Sequence, residues 1–166
     1  HQELGASELA YMLEEESGGG IGGEVPQIDA ERNLSLYRSL TNAMRSQLVA
    51  SAHDCSDGGL AVALSECCIG IDAGATIDVG QLIGGKQGVD EWGALFGESL
   101  GRIVVSISPD NKNKFESMMG GNSIYLLGTV NNSGDNTFTI TSGPDIILQS
   151  DIDTLRHSWK STLDGG

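Results

Sequence analysis

The chain has 166 residues, enough for one domain with a single core. Nine Lys and Arg stand against 23 Asp and Glu, a formal charge of -14 with no basic patch and no basic–aromatic interleaving, which argues against nucleic acid as a partner. No apolar run is long enough to span a membrane, and Cys55, Cys67 and Cys68 form neither a disulfide framework nor the spaced pairs zinc wants, so reduced thiols in a cytoplasmic protein are expected.

Residues 4 to 16 open on Gly5 and continue from Ser7 through Leu9, Ala10, Tyr11, Met12 and Leu13, a short helix that Ser7 could cap. Ser17 to Gly23 holds five glycines, so residues 1–27 read as a flexible arm ahead of a globular core over 28–163. From Asp29 to Leu48 the spacing of Leu34, Tyr37, Leu40, Met44 and Leu48 predicts a long amphipathic core helix.

The most informative stretch is 49 to 71. A small-residue strand from Val49 to Ala52 ends in His53, Asp54, Ser56 and Asp57. Gly58 and Gly59 then let the backbone turn before Leu60, Leu64, Cys67, Cys68 and Ile71 recur at helical spacing. Such a turn at a helix N-terminus attracts phosphate, and its carboxylates can hold the hard cation that travels with phosphate. The same residues also serve as ordinary structure: Ser56 or Asp57 as helix cap, the glycines as loop, His53 as a hydrogen-bonded strand-end residue.

Ala75 to Val79 reads as a short strand with Ile77 and Val79 on one face, and Gly80 to Gly88 as a surface loop. Its Lys86 is either solvated or aimed at a phosphate. Asp90 to Phe96 is a helix leading into Gly97 and Glu98, and Arg102 to Ser108 is an alternating strand. Asp110 to Met119 forms a connecting helix. Ile124 to Val130 and the segment around Phe138 and Ile140 are strands predicted to pair as a hairpin across the turn at Gly134, and Asp151 to Leu163 is a terminal helix.

Three blocks, in order, carry a family resemblance. Leu4 to Glu8, His53 to Glu66 (HDCSDGGLAVALSE) and Leu95 to Val105 (LFGESLGRIVV) resemble the C-terminal domain of phosphoribosylformylglycinamidine synthase, a member of the aminoimidazole ribonucleotide synthetase-related proteins. The chain opens on His1 rather than methionine, and with this resemblance it reads as the C-terminal part of a longer protein.

The resemblance implies an α+β fold, a three-layer α/β/α domain with a mixed sheet, which the order of predicted elements also supports. It implies a share in an ATP-dependent carbon–nitrogen ligase that turns formylglycinamide ribonucleotide into its amidine. The partners are then a glutaminase supplying ammonia and the N-terminal portion of the same synthetase, without which the fragment is inactive. By motif position Asp54 would be a magnesium or nucleotide contact, Ser56 a nucleotide contact, Gly97 a backbone contact to nucleotide, Glu98 a magnesium ligand, and Leu100 a main-chain contact to substrate. ATP and Mg2+ are the implied cofactors, with Asp54 and Glu98 converging on one ion. The alternative is a non-catalytic assembly or nucleotide-binding domain of another member of the same ATP-binding superfamily.

Overall fold

A computed structural model describes residues 4–17, 27–84, 89–131 and 134–161. The glycine-rich stretch after Ser17, Lys86 and the start of the turn before Gly134 lie outside the described residues.

The helix α3 (Gly59–Ile71) sits at the centre. Its sequence, GLAVALSECCIGI, is apolar or small on nearly every face, the pattern of a helix buried from several sides. Leu60, Ala61, Ala63, Leu64 and Cys68 are all buried. On one side lies a two-stranded antiparallel ribbon of β1 (Ser51–Asp54) and β3 (Ile103–Ser106), with Ser51 opposite Ser106 and Asp54 opposite Ile103. Alternation along β3 turns Val104 into the core around α3. It turns Ile103 and Val105 the other way, onto α2 (Ala30–Arg45) and α5 (Lys112–Met118), where Leu40, Ala43, Leu48, Phe115 and Met119 form a second core.

The far side of α3 is closed by a four-stranded mixed sheet, in the order β4 (Gly128–Val130), β2 (Ala75–Asp78), β5 (Thr137–Ser142), β6 (Asp145–Asp151). β2 runs parallel to β5, and the other two pairs are antiparallel. Ala75, Ile77, Phe138 and Ile140 turn inward, while Thr76 and Asp78 face solvent, the alternation expected of a sheet covered on one face. The expected α+β fold with a mixed sheet is therefore observed.

Side chains set most helix starts. Ser7 caps α1 (Glu8–Ser17) by accepting from the Ala10 N–H at 3.2 Å, Asp29 caps α2, and Asp90 caps α4 (Glu91–Phe96) through the Gly93 N–H at 2.8 Å. Asp151 does the same for α6 (Ile152–Ser161), taking the Thr154 N–H at 2.8 Å. Gly5 and Ser7 are buried, and the N–H of Glu8 is held by the Glu98 carboxylate.

Four expectations are corrected. β1 starts two residues later than predicted, which makes His53 and Asp54 the last residues of the strand. The strands flanking Gly134 do not pair with each other, because β2 lies between them; the hairpin is β5–β6, turning at Gly143 and Pro144. Ile124, Tyr125 and Leu126 are exposed and lie outside β4. On α2, Leu34, Tyr37 and Met44 are exposed, since the ribbon takes the face bearing Leu36, Leu40 and Ala43 instead.

Phe138 has no exposed surface at the heart of the larger core. Phe138→Ala should lower the unfolding free energy by about 3–5 kcal/mol, as measured by urea denaturation. Asp78 accepts from the Gly80 and Gly143 N–H groups at 2.8 and 3.1 Å, which holds its carboxyl below the ordinary 3.8. That contribution is present above the unfolded value and lost as pH falls through the lower folded one. Asp78→Asn should flatten the acid side of the stability profile below about pH 4, as read by melting curves.

Candidate functional site: the turn between β1 and α3

The turn is shaped by two consecutive glycines with positive φ, Gly58 at 76° and Gly59 at 65°. Only glycine adopts this conformation without strain. Space demands it as well: a Cβ on Gly59 would stand 2.8 Å from the Gly97 carbonyl oxygen and 2.9 Å from that of Leu95. The turn is thus pressed directly against the end of α4 and the loop that follows it.

Neither Ser56 nor Asp57 caps α3. Gly58 is the cap residue and offers no side chain, and the Ser56 hydroxyl turns back to Asp54. Glu98 supplies the missing acceptor from a different loop. Its Oε1 accepts the Gly58 N–H at 2.9 Å and, at the same distance, the N–H of Glu8, the first residue of α1. One carboxylate oxygen therefore joins the starts of two helices, where the positive end of each dipole favours an anion. All three sequence blocks meet at this oxygen.

The loop that carries Glu98 is itself fastened. Arg102 donates through Nη1 to the Gly97 carbonyl at 2.9 Å and through Nη2 to the Ala94 carbonyl at 2.6 Å, closing the C-terminal end of α4. Gly97 is buried and gives its N–H to Gly93 at 3.1 Å. With both backbone groups engaged, Gly97 holds the loop in place rather than presenting an N–H outward. Leu100 is exposed at the outer end of the same loop, 56% accessible.

Asp54 and Ser56 are exposed on the open side of the turn. The Ser56 hydroxyl donates to Asp54 Oδ2 at 2.9 Å, and this bond, followed by a backbone hydrogen bond at Asp54 itself, keeps the Asp54 carboxyl below its ordinary range. His53 is held on both sides, its Nδ1 2.7 Å from the Asp54 carbonyl oxygen and its Nε2 3.3 Å from Glu66 Oε2. Trp159 of α6 donates to the other Glu66 oxygen at 3.2 Å. His53 is thus the hydrogen-bonded strand-end residue allowed for by the sequence. Sequence reasoning missed Arg102, Glu66 and Trp159, although Arg102 and Glu66 both lie within the recognised blocks.

The exposed donors here are oxygens, a carboxylate and a hydroxyl, which suit a hard cation rather than a soft one. Among the described residues no group of three or more His, Cys, Asp or Glu side chains is placed to hold an ion by itself. Magnesium usually takes one or two protein carboxylates and completes its shell with phosphate oxygens and water, so Asp54 fits such a role. Glu98 has one oxygen already engaged and the other to offer.

Helices layered on both faces of a short ribbon, a mixed sheet closing the far side, and a glycine turn locked to a glutamate loop make up this α+β domain. Residues 2–141 match the family described as AIR synthase related protein, C-terminal domain, and the chain belongs to that family. It is 36% identical over 163 residues to the phosphoribosylformylglycinamidine synthase subunit PurL of Thermobifida fusca (strain YX), covering 97% of this chain and 19% of that protein. Among solved structures it resembles T. maritima PurL complexed with FGAR, with a TM-score of 0.70 and 18% identity over 80% of this chain and 22% of the other. T. maritima PurL complexed with ATP gives a TM-score of 0.64 and 19% identity over 73% of this chain and 21% of the other. The chain thus spans about a fifth of the length of these relatives.

Two substitutions at Glu98 separate its shape from its charge. Glu98→Gln keeps an acceptor oxygen for both N–H groups, whereas Glu98→Ala leaves both without a partner, at a cost of about 1–3 kcal/mol for each bond to a charged group. Amide hydrogen exchange should quicken at both Glu8 and Gly58 in the alanine variant and stay near the parent rate in the glutamine variant.

Proposed function

We propose that this chain is the C-terminal domain of a phosphoribosylformylglycinamidine synthase, contributing part of a nucleotide site to the ATP-dependent amidination of formylglycinamide ribonucleotide in purine biosynthesis, in the cytoplasm. The observation that carries the reading is the meeting of the Asp54–Gly59 turn with the Gly97–Glu98 loop through the Glu98 carboxylate. The relative at 36% identity and the neighbour complexed with ATP support it.

In this reaction ATP transfers its terminal phosphoryl group to the amide oxygen of the substrate and leaves as ADP. Ammonia from a glutaminase partner then attacks the same carbon, and phosphate departs with the former amide oxygen, leaving the amidine. Magnesium neutralises phosphate charge when bound. Asp54, kept ionised by the Ser56 hydroxyl, would hold the ion, with the Glu98 carboxylate as a second protein ligand. Ser56 meets the nucleotide, Gly97 fixes the loop, and Leu100, exposed at its outer end, contacts substrate through its main chain. The remaining ligands and the general base come from the N-terminal portion of the synthetase.

Supplied with substrate, ATP, magnesium and ammonium, the 166 residues alone should release no ADP above blank, and joined to the preceding portion of the polypeptide they should turn over. In the joined protein Ser56→Ala should weaken ATP binding by about 0.5–1.5 kcal/mol, measured by titration calorimetry. Unchanged affinity with a lower melting temperature would show that Ser56 serves only to hold Asp54.

A further inference from the structure

The two loops that meet at Glu98 are also joined through a residue that belongs to neither. Arg102 stands at the exit of the segment between α4 and β3, and its backbone and side chain serve different partners. The Arg102 carbonyl oxygen accepts the Cys55 N–H at 2.9 Å, which carries the β1–β3 pairing one residue further, into the turn. Cys55 lies between Asp54 and Ser56, and its side chain is buried in the core around α3. This bond therefore fixes the turn from its buried side and leaves Asp54 and Ser56 exposed.

The side chain reaches back to the entrance of the other loop. Its two donors take the Gly97 and Ala94 carbonyls at 2.9 and 2.6 Å, so the segment that presents Glu98 and Leu100 is closed across its base by one guanidinium. The Gly97 carbonyl oxygen it holds is the same atom that leaves no room for a Cβ on Gly59. Arg102 thus pairs with the turn through its backbone and, through its side chain, fastens the part of the loop that touches that turn. A planar fork spans two carbonyls three residues apart, whereas the ammonium of a lysine is a single point.

We propose that Arg102 is a positioning residue for the ion and nucleotide site. It sets the separation of the Asp54 turn and the Glu98 loop, and with it the geometry in which the two carboxylates receive magnesium and the phosphates the ion carries. It acts through those two acids rather than on the ligand. This role rests on the nucleotide-site reading proposed above.

Two measurements on the synthetase with its N-terminal portion joined test it. Without metal or nucleotide, amide hydrogen exchange at Cys55 and across 98–101 should quicken in Arg102→Gln; unchanged exchange would show that Arg102 does not hold the loop and would overturn the proposal. With ATP present, titration calorimetry should show the magnesium dissociation constant raised about tenfold in Arg102→Gln, as when a group that orients a metal ligand is removed. In a Glu98→Gln background the same substitution should change it by less than about twofold, because the acid being positioned has already lost its charge. Arg102→Lys keeps the charge without the fork; it should show the same effects at reduced size, and it carries the comparison if the glutamine variant does not fold. A lower melting temperature with unchanged magnesium affinity, or a loss that repeats in full in the Glu98→Gln background, would overturn the positioning role and leave the nucleotide site standing. Asp54→Asn separates the two readings: unchanged magnesium affinity in that variant would remove the ion from this turn, and the role of Arg102 with it.

Discussion

A single carboxylate oxygen holds the functional end of this domain together. Glu98 Oε1 binds the first N–H of α1 and the cap N–H of α3, two helix starts far apart in the chain. Because each N–H lies at the positive end of a helix dipole, the acid is stabilised where it stands and stabilises both helices in return. The arrangement also shapes what an incoming ligand meets. The Gly58 N–H, which would otherwise be offered to a phosphate, is already engaged by an anion of the chain itself. The turn therefore addresses its surroundings through Asp54 and Ser56, both oxygen donors, and a cation is the natural intermediary between those groups and a phosphate.

Much of this was legible in the residues. Gly58 and Gly59 announced a turn, and the structure gives the reason for both: positive φ at each, and no room for a Cβ on Gly59 beside the Gly97 carbonyl. The helical spacing of Leu60, Leu64 and Cys68 marked α3, and all three are buried. The joining of the Asp54 and Glu98 loops followed from placing their strands in one sheet, and β1 and β3 do pair. What pattern could not reveal is who satisfies whom. Ser56 looks like a helix cap by position, yet the left-handed Gly58 turns the cap site toward another loop, and an acid forty residues on fills it.

Strand pairing was the other blind spot. Two strands separated by a glycine turn are the ordinary signature of a hairpin, and nothing local in Gly128–Val130 or Thr137–Ser142 says that β2 will come between them. That is a long-range packing decision, made because Ala75 and Ile77 of β2 share the core with Phe138 and Ile140. On α2, periodicity identified the apolar residues correctly but could not tell which of two adjacent stripes the ribbon would take, and so Leu34, Tyr37 and Met44 were assigned to the interior.

The position of β2 bears on how the chain reaches its fold. Ala75 pairs with Val130 on one side and Phe138 on the other, so both edges of the strand stay open until the last third of the chain is available. A ribosome releasing this polypeptide would expose α3 and an unpaired strand together for the whole of that interval, and non-local pairing of this kind is intrinsically slow. An open strand edge beside uncovered apolar surface is the usual starting point for misassembly. Truncation before β5 should therefore yield not a smaller domain but an aggregating one.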